Sequence, residues 1–299
     1  MSYHNPVLLK ESVDALDIKE DGIYIDVTFG GGGHSREILS RLGAKGRLFA
    51  FDQDPDAQDN KIDDDRFVLI AENFRHITRF LKFYRIQKVD GILADLGVSS
   101  HQFDQAERGF STRFDADLDM RMDQKSKLSA KEIVNKYSEE QLADILFLYG
   151  ELRSARALAK TIVEAREEEE IETSFQLKEV LKRHLPKAKE HKILAQIYQA
   201  IRIEVNQELE VLKEFLNQIP DLLTEEGRLS VISYHSLEDR LVKRFVRTGL
   251  FSGEPNKDFY GNTNEPLKKV GKLIVPTQVE IKNNNRARSA KLRIATIKK

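Results

Sequence analysis

Four short apolar segments, GIYIDV (22–27), GRLFAF (46–51), RFVLIA (66–71) and VDGILA (89–94), recur at the interval of successive strand and helix units. Helix-compatible stretches such as SREILSRL lie between them, so the first hundred residues predict parallel strands joined by right-handed crossovers. Then the rhythm stops. From about Ala106 to Arg202 the patterns are charged and mostly helical: Leu142, Ile145, Leu146 and Tyr149 mark one stripe, and Leu158 and Ile162 mark the next after Gly150. The run EAREEEEIET has no apolar face and reads as a solvated helix end or loop. Strand grammar returns at GRLSVISY (227–234), after a helix whose Val205, Leu209, Leu212, Leu216 and Ile219 keep a heptad-like spacing, ended by Pro220. The tail TQVEIKNNNRARSAKLRIATI predicts two closing strands around an Asn-rich turn. The expected architecture is therefore α/β, a single discontinuous domain of residues 1–105 and 203–299 interrupted by a helical insertion at 106–202. Two tandem domains explain the order less well, because the first part alone has too few strands.

Charge adds polarity to this plan. The 299 residues carry 48 Lys or Arg and 49 Asp or Glu, a net charge of -1 that hides the distribution. Residues 268–299 hold ten basic side chains against Glu280, while residues 204–226 hold seven acids against Lys213. A basic C-terminal arm can meet phosphates whatever the average. The absence of cysteine excludes disulfides, Cys-ligated zinc, iron–sulfur clusters and thiol nucleophiles, and no set of metal ligands stands out. The first residues lack the regions of a signal peptide, and no apolar run approaches the ~18 residues of a membrane span, so a cytoplasmic protein with no membrane partner is expected.

Four consecutive glycines, Gly30 to Gly33, follow the first strand and precede a helix, which leaves backbone N–H groups free for a closely approaching ligand. No Gly-Lys-[Ser/Thr] follows, and Ser35 stands where a G-x-G-x-x-G pattern needs its third glycine, so neither phosphate fingerprint fits. The bland alternative is a turn that only lets the helix pack. Three further residues argue for a ligand. Asp52, at the end of the second strand, sits where an acid accepts both hydroxyls of an adenosine ribose. Phe74 lies beyond the third strand, where it could cover an adenine or enter the core. Asp95 ends the fourth strand, at the edge where such sheets collect ligand groups. Without a grip on a pyrophosphate, the adenosine ligand that this order suits best is S-adenosylmethionine.

Ring-carbon methylation of a pyrimidine normally needs a thiolate, so a cysteine-free chain is left with direct transfer to nitrogen or oxygen. There the protein mainly aligns nucleophile, methyl and sulfur in a dry site. For an exocyclic amine it must also accept a hydrogen bond from the N–H, and Asp95, Ser99 and Ser100 are placed to do so. Tyr234 and His235 at the end of the fifth strand are further candidates. Ser236 with Asp239 has the pattern of a capping box at a helix start. Arg240, Lys243, Arg244 and Arg247 share a face of that helix opposite Leu237, Leu241 and Phe245, a stripe that is either solvated or set to hold a polynucleotide. Arg286, Arg288, Lys291 and Arg293 of the tail are candidate RNA contacts on the same grounds.

Together HNPVLLKE, DVTFGGGGHS, DLGVSSHQFDQAERGFS with LDMRMD, and SYHSLEDRLVKRF with NRARSAKLR resemble the bacterial 16S rRNA (cytosine-N4)-methyltransferase family, from His4 to Arg293. The resemblance implies a Rossmann-like, S-adenosylmethionine-dependent methyltransferase sheet with an inserted helical domain that helps recognise the small ribosomal subunit. Its target would be the N4 amine of a decoding-site cytidine in 16S rRNA, with a homodimer as a further candidate association. Carried over by motif, the cofactor contacts fall on Gly32, Gly33, His34, Asp52, Phe74, Asp95 and Gln102. Ala116 and Asp117 stand where the family commonly has Gly-Pro, and Tyr234 where it has Phe. The DNA amino-methyltransferases carry a Pro-Pro-aromatic motif at the fourth strand where this chain has DLGV, so Asp95 reads equally as amine acceptor or as cofactor anchor. Three alternatives remain at this stage: an amino-methyltransferase on another nucleic acid, a non-catalytic ribosome-assembly factor, and a dinucleotide oxidoreductase.

Overall fold

A seven-stranded sheet organises the chain. The computed structural model describes residues 6–255 and 265–298; His4 and Asn5 of the first motif and Lys299 of the basic arm lie outside the described residues. Two compact units result, one of Met1–Gly97 with Leu209–Lys299, the other Val98–Glu208, where the sequence placed an insertion at 106–202.

In the first unit the strands are β1 (Ile23–Asp26), β2 (Arg47–Phe51), β3 (Phe67–Ile70), β4 (Val89–Asp95), β5 (Leu223–Ser233), β6 (Leu267–Ile274) and β7 (Lys291–Ile297), in the spatial order β3-β2-β1-β4-β5-β7-β6. The pairs from β3 through β5 are parallel, and β7 and β6 close that side antiparallel. Parallel strands are covered on both faces and so read as near-continuous apolar runs, which is why β1, β2 and β4 were legible. Chain order reverses between β1 and β4. That is the switch point, and the crevice at its carboxyl edge is where α/β sheets bind ligands. One buried cluster joins Ile25, Phe49, Phe51 and Ile92 to Leu212, Phe215, Leu216 and Phe245; on the opposite face Tyr24, Ile38, Leu48 and Leu93 form another.

Three expectations fail locally. The segment Gln278–Asn283 is a helix, not a strand, because Thr277 Oγ1 accepts the Glu280 N–H at 3.2 Å and caps it. The partner of β7 is instead β6, which the sequence concealed: an edge strand interrupted by Gly271 at φ 64° and carrying three exposed lysines shows no alternation. Pro220 does not end its helix, which runs from Glu208 to Leu222. Proline this close to a C-terminus disturbs only the final turn. The heptad spacing also spans a break, since Gln207 at φ 51° separates helix Glu190–Asn206 from Glu208–Leu222, so Val205 and Leu209 belong to different units.

The second unit is helical, built on Ser100–Asp104, Ala130–Lys136, Glu139–Leu148, Ala155–Arg166, Ser174–Leu181 and Glu190–Asn206. Leu142, Ile145, Leu146, Leu158 and Ile162 all enter its core, as their stripes predict. Reciprocal capping boxes at Ser138 with Gln141 and Thr173 with Gln176 satisfy first-turn N–H groups. The LDMRMD loop is fixed by Asn206, whose side chain donates to the Met120 carbonyl and accepts the Met122 N–H, both at 2.8 Å. Ala116, a departure from the family pattern, is held by a reciprocal pair with Ser174: its N–H donates to the Ser174 Oγ and its carbonyl accepts the Ser174 N–H. Gly109 must stay glycine, since φ is 69° and a Cβ there would lie 2.4 Å from the Asp117 carbonyl oxygen.

Candidate active site

At the carboxyl edge of β1 the chain turns through Val27 to Gly32 and enters helix Gly33–Arg41. Gly30 and Gly32 have φ of 49° and 75°, conformations that L side chains rarely adopt, and a Cβ on Gly33 would fall 2.2 Å from Pro6. The glycines therefore serve the backbone path and its packing as well as any ligand. Asp52, just past β2, anchors the turn: its Oδ2 accepts the Gly30 N–H at 2.8 Å and its Oδ1 the Asp54 N–H at 2.8 Å. Asn60 adds a bond to the Gly30 carbonyl.

Across the switch point stands Asp95, at the end of β4. Its backbone N–H donates to Thr28 Oγ1 at 2.7 Å, which locks β4 to the turn after β1. Tyr234, from the end of β5, donates its hydroxyl to Asp95 Oδ1 at 2.7 Å. His34 approaches from the helix, with Nδ1 3.8 Å from Asp95 Oδ2 and Nε2 3.3 Å from the Val7 carbonyl. A carbonyl only accepts, so Nε2 carries the proton and Nδ1 is an acceptor. Burial lowers the His34 pKa and keeps the ring neutral.

Electrostatics give the site its character. Burial raises the pKa of both Asp52 and Asp95 to about 6, against the opposing pull of backbone N–H groups at Asp52 and of the Tyr234 hydroxyl at Asp95. Asp26, fully buried at the end of β1, is raised by burial too, and each of the other two is raised further by its proximity. Among the described residues none of the three carboxylates has a Lys or Arg partner. At neutral pH Asp52 and Asp95, with values of about 6, carry negative charge that no Lys or Arg offsets among the described residues, and the Asp95 side chain is 22 % exposed. Asp26 escaped the sequence reading although it lies inside the glycine motif; its signal was an acid in an apolar strand with Ser35 nine residues on, which donates to it at 2.7 Å. Thr28 was likewise missed.

The remaining candidates separate. Phe74 is half-buried, edge-on to Phe215 with ring centroids 5.2 Å apart. Gln102 belongs to the second unit, where it is buried and forms a reciprocal capping box with Ser99, whose hydroxyl accepts the Gln102 N–H. The Ser100 side chain is outside the described ones. His235, not Ser236, is the N-cap of helix Ser236–Thr248, and its partner is Glu238 rather than Asp239. Glu238 is buried and accepts the Tyr234 N–H at 2.9 Å, which fixes the approach of Tyr234 to Asp95. The His235 ring faces Glu238, with Nε2 3.1 Å from Oε1.

Asp239 is released for another task. It accepts from Arg293 Nε at 2.7 Å and from Lys291 Nζ at 3.3 Å, clamping the helix to β7. Of the helix cations, Lys243 and Arg247 are exposed, Arg244 donates to the Gly253 carbonyl, and Arg240 Nε reaches back to the Ser236 carbonyl at 3.5 Å. Arg288 is exposed, while Arg286 is half-buried in the turn before β7.

The model of the MraW methylase family matches residues 1–298. The protein named ribosomal RNA small subunit methyltransferase H is 68% identical in Christiangramia forsetii and in Flavobacterium johnsoniae, in each case over 99% of this chain and 98% of theirs. Its namesake from Bacteroides fragilis is 56% identical over 98% of this chain and 97% of its own. With likeness running from end to end, and the glycine turn and fourth-strand acid lying inside it, this chain belongs to the MraW methylase family.

Proposed function

We propose that the protein transfers a methyl group to the exocyclic N4 amine of a decoding-site cytidine in 16S rRNA of the small ribosomal subunit, in the cytoplasm. The chain is a methyltransferase, and S-adenosylmethionine is its methyl donor. That donor bears a sulfonium and an ammonium, and the observation that supports its placement is the part-buried carboxylate of Asp52 beside the glycine turn, close to the buried Asp26 and with no basic partner among the described residues. When bound, it supplies an activated methyl that needs no further electrophilic help. Asp52, which already holds the glycine turn, would hold the ribose; Gly32 and Gly33 would give close backbone approach; His34 Nδ1 would be an acceptor for the ammonium end; and the half-buried Phe74 would cover the adenine.

For the acceptor, Asp95 takes a hydrogen bond from the amine N–H, which draws the nitrogen lone pair out of conjugation and toward the methyl. Tyr234 occupies Oδ1 and so leaves Oδ2 for this work. Its own pKa is raised well above the usual value by burial and by Asp95, which makes the phenol a fixed donor. The helical unit Val98–Glu208 is proposed to contact the subunit, and Ser99 and Ser100 at its start are secondary candidates for the amine.

Tyr234→Phe tests the orienting bond. Removing a donor to the ionised carboxylate raises the Asp95 pKa above about 6, so the acidic limb of the kcat/KM profile should move to higher pH while activity on the alkaline side changes less. A profile superimposable on that of the parent would remove Tyr234 from the mechanism. The function itself is tested with small subunits from a strain lacking the modification: incubated with the protein and methyl-labelled S-adenosylmethionine, they should take the label into 16S rRNA. Subunits that remain unlabelled contradict the proposal.

A further inference from the structure

A groove of about 1040 Å³ runs between helix Ser236–Thr248 and the edge strand β6, within the first unit. One wall is the helix face that carries Asp239, Lys243 and Arg247, one turn apart, so Lys243 and Arg247 stand roughly 6 Å from each other along the axis. The other wall is β6, with Lys268, Lys269 and Lys272 exposed. The floor is closed by Val246 and Leu267, which meet in one buried cluster, and by Arg293 of β7, whose charge is committed to Asp239. Among the described residues Lys243, Arg247, Lys268, Lys269 and Lys272 have no carboxylate partner. Of the four acids in the lining, at the far end, three are matched: Glu226 with Lys19, Glu265 with Lys298, and Asp17 with Arg228, and the fourth is the exposed Glu225. The surplus is therefore cationic along the groove and falls away at one end.

Its other end points toward the carboxyl edge of the sheet, where Arg293 of its lining pairs with Val231, two residues before Ser233, while Asp95, Tyr234 and His235 lie outside its lining. Helix Ser236–Thr248 starts directly after Tyr234, and β5 lies beside β4 with Ile232 opposite Asp95. Lysines on an edge strand by themselves only discourage strand addition. Here two helix cations face them across an apolar floor, at a separation close to that of neighbouring phosphates in an extended strand. Stacked duplex recognition needs a helix or ribbon that enters a groove of the nucleic acid; this surface is the reverse, a channel that tracks one backbone.

We propose that this groove binds the phosphate backbone of a single-stranded RNA segment adjoining the target nucleotide, with Lys243, Arg247 and the β6 lysines as its contacts. The inference rests on the reading of rRNA as the substrate. It gives the strand a path, from the far end of β6 to the carboxyl edge where Asp95 and Tyr234 meet, and it adds Lys268, Lys269 and Lys272 to the RNA contacts that the helix pattern suggests.

The test compares two triple variants of the full chain by titration with a short single-stranded, cytidine-containing RNA over a range of salt. In the groove variant Lys243, Arg247 and Lys269 become Gln; in the control variant Lys45, Lys82 and Lys88, exposed and away from the groove, become Gln. The groove variant should lose about 2 from the slope of log K against log salt, at roughly 0.7 for each phosphate contact of a single strand. S-adenosylmethionine affinity, measured by calorimetry, should match that of the parent and certify the fold, and the control should keep the parent slope. An unchanged slope in the groove variant, or an equal loss in the control, overturns the proposal. Parent protein that methylates rRNA while the groove variant retains its slope isolates the failure to the groove; parent protein that methylates no rRNA places the failure in the substrate reading.

Discussion

Asp95→Asn should lower turnover by about 10²–10⁴ while leaving S-adenosylmethionine affinity close to that of the parent. The substitution preserves size, and an Asn oxygen can still accept the Tyr234 hydroxyl that now lies 2.7 Å from Oδ1. What it removes is the charge on the second oxygen, and with it the strongest acceptor available to an amine N–H. The backbone bond from residue 95 to Thr28 Oγ1 does not involve the side chain, so the link between β4 and the glycine turn survives. Single-turnover kinetics beside calorimetry separate the alternatives. A parallel decline of binding and turnover would make Asp95 an anchor of the cofactor, and near-parent turnover would remove it from the chemistry.

Asp52→Ala should weaken S-adenosylmethionine binding by roughly 1.5–3 kcal/mol, the usual value of a hydrogen bond to a charged group. In affinity this is a factor of about 10 to 150. Part of the loss comes from the ligand contact and part from the turn, because the Gly30 and Asp54 N–H groups lose their shared acceptor. Asp52→Asn distinguishes the two contributions: an Asn oxygen can keep one backbone bond, so a loss nearly as large as that of the Ala variant assigns the effect to the carboxylate and its ligand. Calorimetric affinity equal to that of the parent in the Ala variant would make Asp52 a turn residue alone.

Much of this site could be read before the structure because its parts obey local rules. Parallel strands buried on both faces announce themselves as apolar runs, and the ends of such strands are where ligand groups are sought; the places of Asp52 and Asp95 just past β2 and at the end of β4 were legible that way. Residues whose role depends on a distant partner were not. Asp239 looks like a cap until Arg293, 54 residues later, proves to be its partner. His235 is a cap that no Ser or Asp pattern suggests, since an imidazole nitrogen takes the place of the usual oxygen. Asp26 was hidden by its neighbours, a lone acid in a strand otherwise fit for the core. In the tail, Val279 and Ile281 suggested a strand, yet Thr277 and Glu280 supply a helix start and the local cap wins over β-branched propensity. The strand β6 was invisible for the opposite reason: with solvent on much of its surface, its lysines follow the edge and not the pleat.

The central claim is that the methyl passes directly to nitrogen in a cysteine-free site. Its most direct test is mass spectrometry of nucleosides from 16S rRNA after small subunits have reacted with the protein and methyl-labelled S-adenosylmethionine. The account predicts that the label appears in N4-methylcytidine, at one position of the decoding site, and that it is lost in parallel with turnover in the Asp95→Asn variant. Label in 5-methylcytidine, or in a nucleoside other than cytidine, would contradict it.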